Sequence, residues 1–487
     1  MRPVPRLRAL LVLSTVLSLG LTALPAPAQE PDPPTLRLVA ARNKLTVNRY
    51  GLRVYLDLGV WAAATGGDFR LAVSRPDYES PLGVVQTDGN GEVIQELPAD
   101  LLDGWLGLRD FIGVTFRKPN GRYVAGGKFT FCPNAYERQR VDDTGPDVPT
   151  YPDSCGSSYF PFLKGTVWGI DGGWAVSALG GSEFDDYGIP SLRVAEGRYQ
   201  VTVRIDRQYA ELFGIAPENA RVVLDVTVRD APDRFVFSRP QKEEGESLTP
   251  TTAVPTITDP DPSTLPDLAA LPLWSMSVGH RRKGDFLSFA ASPWNAGPAP
   301  LVVEGFRRPG EDVMDAYQYF YDEDENVVGR APVGTLEFHS GGGHNHWHFL
   351  QLVEFSLLDS SLTEVVLSKK QSFCIAPTDA VDLSVEGADY VPWSLRLSSR
   401  CGSPGSIWVR EALAAGWADT YFQYVSGQAF NITKVPNGWY YVRLEMNPHG
   451  NLYDSSLGNE VADRLIRLGG KRGSRTLRVM PWFGIED

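Results

Sequence analysis

Four of the six histidines fall within ten residues: His339, and then His344, His346 and His348 in the run His344-Asn345-His346-Trp347-His348. In an extended strand, side chains at alternate positions point to one face, at steps of roughly 6–7 Å. Three imidazoles so placed can close on one ion. Imidazole suits copper, zinc, nickel and iron, so the ligands alone do not name the metal. Three protein ligands leave a coordination position open, as a catalytic ion requires. Gly341-Gly342-Gly343 just upstream allows backbone conformations that a side chain would forbid. His339 is either a fourth ligand or, the preferred reading, a group that orients the other three. The plain alternative is a satisfied polar face or an adventitious metal site.

The elements that must carry these residues are strands. With 48 Gly and 37 Pro, the chain favours turns and short strands over long helices. The expectation is an all-β protein. A β-sandwich-like N-terminal region spans 34–230. There Val54–Leu58 and Ile112–Phe116 read as strands, Asn120-Gly121 favours a type I′ hairpin turn, and Tyr199, Val201, Val203 and Ile205 share a buried face. Residues 231–268 form a Pro/Thr/Asp tract too polar to build a core and read as an extended linker. A second β region spans 269–482, with Tyr440, Val442, Leu444 and Met446 on one strand face and a long loop at about 375–405. Gly197-Arg198-Tyr199 echoes Gly438-Trp439-Tyr440, so both halves are expected to end in a similar hairpin, by duplication or by convergence of sandwich edges.

Residues 1–28 read as a secretion signal: Arg2, Arg6 and Arg8, then an apolar run from Ala9 to Leu24, then Ala26-Pro27-Ala28. The run is short for a membrane span, which needs about 20 apolar residues. The expected location is therefore secreted or cell envelope, with no transmembrane segment in the mature chain. Lys and Arg number 46 against 59 Asp and Glu; losing three Arg leaves 43 against 59, a net charge of −16. Such a surface repels nucleic acid and draws in cationic substrates such as primary amines. Ordinary solubility accounts for much of that charge. In an oxidising compartment the four cysteines read as two disulfides, and their order favours Cys132–Cys155 and Cys374–Cys401.

Around the histidines the sequence resembles the lysyl oxidase family over about residues 270–470. Glu337-Phe338-His339-Ser340 and His344 to His348 resemble the family's copper-binding run, which implies His344, His346 and His348 as copper ligands. Lys370-Gln371-Ser372-Phe373-Cys374 resembles the segment of its cofactor lysine, implying Lys370. Gly416-Trp417-Ala418-Asp419-Thr420-Tyr421 resembles the segment of its cofactor tyrosine, implying Tyr421. Asn295-Ala296-Gly297 and Asn447-Pro448 also fit. The chain departs from the pattern in three ways. Its C-terminal half has only Cys374 and Cys401, two extra residues separate His339 from His344, and Lys369 stands beside Lys370. The region 34–230 has no counterpart in the animal catalytic domain.

The resemblance implies a lysyl-oxidase-like sandwich with long loops and a lysyl tyrosylquinone built from Lys370 and Tyr421. It implies copper-dependent oxidative deamination of primary amines, including lysine side chains of proteins, with O2 as acceptor and release of aldehyde, ammonia and hydrogen peroxide. Asp419 is the candidate catalytic base, on the Tyr421 face if the segment is a strand. A structural hydrogen-bond role explains it equally well. A cupin-like oxygenase is the rival enzyme, but Glu354 falls one residue too far from His348 and His449 stands alone. The non-enzymatic alternative is a secreted metal-binding β-sandwich. The acidic run Asp322-Glu323-Asp324-Glu325 lacks the spacing of a calcium loop and reads as a solvated turn.

Overall fold

Alternation of apolar and polar residues recurs along the chain, and in a computed structural model of the protein it becomes a series of antiparallel sheets. The structure describes residues 34–487 apart from 158, 181–188, 231–250, 252–253, 309, 342–343, 369–371, 393–397, 426 and 487, and at 340, 341, 344 and 345 it describes the backbone alone. The proposed signal, 1–28, and Lys370 therefore lie outside the described residues. The fold is nearly all β, as expected. Among the described residues the single α-helix is Arg207–Leu212, capped by Asp206, whose carboxylate accepts from the Gln208 amide.

The N-terminal half holds a seven-stranded sheet and two four-stranded sheets around one apolar core. Tyr199, Val201, Val203 and Ile205 of strand Gly197–Ile205 all face that core. Strands Leu108–Arg117 and Tyr123–Phe131 form the expected hairpin, but its turn is not type I′. Pro119 holds φ negative, so only Gly121 takes a positive φ, 84°. The Gly121 amide closes the turn on the Lys118 carbonyl, and a bulge at Phe116–Arg117 absorbs the extra residue.

In the C-terminal half a six-stranded sheet packs on a five-stranded one. The six-stranded order is Ser372–Phe373, His344–Leu350, Val327–Gly341, Val313–Tyr321, Leu301–Arg307, Trp408–Leu413. Trp347, Phe349 and Phe373 from this sheet meet Phe355, Val442 and Leu444 from the other in one core. A smaller sheet of short strands includes Trp294–Asn295, Trp417–Ala418 and Asp379–Ala380. The sequence echo has a shared cause. The Tyr199 hydroxyl donates to the Ala195 carbonyl and the Tyr440 hydroxyl to the Pro436 carbonyl, each four residues upstream, at the start of a long hairpin. A tyrosine anchored in this way pins a sandwich corner.

The described part of the Pro/Thr/Asp tract is packed against the C-terminal sheet. Ile257 and Arg330 bond through their backbones, Leu265 is buried, and the Thr251 amide donates to the buried Glu304 carboxylate. The apolar residues interspersed in the tract give it this hold. Residues 34–487 form one compact unit. A third apolar cluster joins Phe160, Phe162 and Leu163 to Leu271, Trp274, Val381, Ala418 and Ile485. Both disulfides, Cys132–Cys155 and Cys374–Cys401, are formed as their order suggested.

Candidate active site

Strands Val327–Gly341 and His344–Leu350 form an antiparallel hairpin in which His339 lies opposite His346, Glu337 opposite His348 and Gly341 opposite His344. Directly paired residues share a face, as do alternate residues on one strand. The hairpin therefore sorts its side chains. Phe338, Trp347, Leu336 and Phe349 take the other face, with Phe338 and Trp347 meeting edge-on at 5.7 Å. Trp347 is fully buried, and its indole donates to the Ser403 carbonyl. Packing on that side is what holds the histidine side in place.

On the histidine side, the rings of His346 and His348 stand 4.8 Å apart and His339 stacks on His348 at 4.5 Å. His348 is buried. Ser372 sits between two of them, its hydroxyl 3.2 Å from His348 Nδ1 and 3.3 Å from His339 Nε2. His339 and His348 thus share the Ser372 hydroxyl as a hydrogen-bond partner. Of His344 the structure describes the backbone alone, in the same strand and paired with Gly341. Among the described residues, no three His, Cys, Asp or Glu side chains are gathered to hold a metal. The donor chemistry nonetheless fits a copper site. The face carries imidazoles with Glu337 beside them, and Ser372 engages Nδ1 of His348.

Tyr421 approaches the same segment from the opposite side. Its ring lies 4.9 Å from the Phe373 ring, edge-on, and its hydroxyl donates to the Cys374 carbonyl at 2.9 Å. The backbone is held at both atoms by Ala291, with Tyr421 N to Ala291 O at 2.8 Å and Ala291 N to Tyr421 O at 3.0 Å. Ser372–Phe373 is itself paired with the histidine strand, Phe373 opposite Phe349. Three consecutive residues, 372 to 374, therefore touch the imidazoles at one end and Tyr421 at the other. Lys370 precedes them by two residues in the chain.

Asp419 is buried and hydrogen-bonded to the Tyr421 hydroxyl. Burial first, and then the Asp419 charge, push the Tyr421 phenol well above its ordinary range. The segment is not a continuous strand: Trp417–Ala418 ends before Asp419, whose amide bonds to the Pro293 carbonyl.

Sequence reading missed Glu411. It is fully buried on strand Trp408–Leu413, and one carboxyl oxygen accepts from the Phe349 amide at 3.4 Å and the Ile375 amide at 3.1 Å. It ties the histidine strand to the chain just past Cys374. Burial pushes its carboxyl well above the usual range, against the opposing pull of those two amides. The signal was available: Arg410-Glu411 interrupts an otherwise apolar strand, and buried charged residues need partners. Arg410 finds one in Glu304, at 2.7 Å.

Comparison with curated proteins finds no match for the chain. Comparison with protein families finds one: residues 326–475, which contain the hairpin, Ser372, Glu411, Asp419 and Tyr421, match the lysyl oxidase family, and with it amine oxidation in general terms.

Proposed function

We propose that the protein oxidatively deaminates primary amines to aldehydes: one amine, one O2 and one water give one aldehyde, one ammonia and one hydrogen peroxide. In this reading His344, His346 and His348 hold copper, and Lys370 and Tyr421 are the precursors of a lysyl tyrosylquinone. Together copper and quinone supply the electrophile and the electron sink for the reaction. The chain's own residues place these parts. Ser372 orients His348 and His339. The Cys374 carbonyl and Ala291 hold Tyr421. Asp419, bonded to the Tyr421 hydroxyl, is placed to act as the base that takes the proton from the carbon bearing the substrate amine. Glu411 holds the two segments together by their amides.

The contact that carries the reading is the three-residue bridge 372–374 between the imidazoles and Tyr421. The match to the lysyl oxidase family over 326–475 supports it. The mature chain, without 1–28, acts outside the cytoplasm, where its two disulfides persist. Its acidic surface favours cationic amines, among them lysine side chains of proteins. Region 34–230 is an added β region and 269–482 the catalytic one.

Tryptic mass spectrometry of copper-loaded protein tests this directly. A covalently joined peptide pair containing Lys370 and Tyr421 is expected. Tyr421→Phe should keep its copper and lose amine-dependent peroxide release; activity in that variant would rule out the cofactor.

A further inference from the structure

We propose that Phe162 and Gly165 of the N-terminal half are positioning residues for Tyr421, so the catalytic half does not complete its own site. The inference rests on the reading of Tyr421 as the cofactor tyrosine.

Two routes lead from residues 160–165 to that tyrosine. The first runs through backbone. The Lys164 amide donates to the Val381 carbonyl at 2.6 Å, and the Leu383 amide to the Gly165 carbonyl at 2.8 Å. Gly165 and Asp382 form a parallel bridge, so the head of strand Gly165–Ile170 lies beside segment 381–383 as an extra strand. That segment grips the chain leading to Tyr421. Val381 N and Asp382 N donate to the Gly416 carbonyl, at 2.9 and 3.1 Å. Asp379–Ala380 pairs with Trp417–Ala418, and the Thr378 hydroxyl accepts from the Thr420 amide at 2.6 Å. The contact at Gly165 is close: a Cβ there would overlap the Asp382 carboxylate.

The second route runs through side chains. Phe160 and Phe162 meet the Trp274 ring edge-on at 6.1 and 6.0 Å, and Trp274 meets Phe422 at 5.7 Å. The Trp274 indole donates to the Ser292 hydroxyl at 3.0 Å, and Ser292 bonds Thr420 at 3.0 Å. Both routes reach Thr420, and the second also reaches Phe422, the two neighbours of Tyr421. Neither passes through the hairpin that carries the histidines, which is held by the six-stranded sheet. Joining a ring carbon to an amine needs the two held in register, and a displacement of about 1 Å can cost on the order of 100-fold. The N-terminal half therefore acts on the tyrosine side of the site and leaves the metal side alone.

The test uses the full chain with Gly165→Val, Phe162→Leu and, as a control in the N-terminal core away from both routes, Val201→Ala. In metal-free protein, amide hydrogen exchange should speed up roughly tenfold or more over 376–383 and 414–422 in the first two variants. It should stay at the wild-type rate over 344–350, and in all three segments for Val201→Ala. After copper loading, those two variants should bind the metal fully but yield several-fold less of the joined Lys370–Tyr421 peptide. Wild-type exchange at 414–422 in both variants would overturn the proposal, and so would equal loosening by Val201→Ala. If wild-type protein forms no joined peptide, the quinone reading fails, and the exchange data still decide whether residues 160–165 position Tyr421.

Discussion

Asp419 is the charged group that bears on the Tyr421 phenol most directly, after burial itself. The phenol carries one proton, offered both to the Cys374 carbonyl at 2.9 Å and to the Asp419 carboxylate. Ionising it would place a second negative charge beside Asp419 in a buried setting, so its titration is displaced upward. Asp419→Asn removes that charge while keeping an acceptor. The Tyr421 phenol should then titrate at lower pH than in the wild type, as followed by phenolate absorbance in metal-free protein. Amine turnover in the same variant should fall by roughly 100- to 10,000-fold if the carboxylate is the base that takes the substrate's α-proton.

Elements decide how near the histidines come to the tyrosine. The hairpin sets the imidazole face by register, and the disulfide Cys374–Cys401 ties both sides of the site to one link. The Cys401 carbonyl accepts from the Trp347 amide, between His346 and His348, while the Cys374 carbonyl accepts from the Tyr421 hydroxyl. The link closes a separation of 27 residues. Opening such a loop in the unfolded chain is worth about 3–4 kcal/mol. Replacing both cysteines by serine should lower stability by about that amount in denaturant titration. Copper affinity and quinone yield should fall together, because the lost link borders both the histidine strand and the tyrosine.

Across the whole molecule, half-buried acids shape how stability responds to pH. Burial raises the Asp389 carboxyl to about 6 and that of Asp454 to about 6. Asp389 lies in the long loop after Cys374 and its carbonyl accepts from the Trp417 indole; Asp454 accepts from the Leu268 amide. An acid whose folded value is raised favours the folded state while protonated. That contribution is complete below the ordinary carboxylate value near 4 and is lost as pH rises through about 6. Melting temperature should therefore decline over this interval in the wild type, and the decline should be shallower in Asp389→Asn and Asp454→Asn. A wild-type profile identical to that of the two variants would contradict the assignment.

Much of this protein was legible in its sequence because it is local. The alternation at Tyr199–Ile205 and Tyr440–Met446 follows from the two-residue repeat of a strand, and both faces are buried. The same repeat puts His346 and His348 on one face, and cysteine order foretold both disulfides. What remained hidden depends on contacts between segments far apart in the chain. That Ser372 lies between two imidazoles, that Glu411 ties Phe349 to Ile375, and that Gly165 pairs with Asp382 all depend on which apolar faces pack together. A local repeat says which side of a strand a residue takes. Only burial of the sheets against one another, summed over both cores, selects what that side will meet.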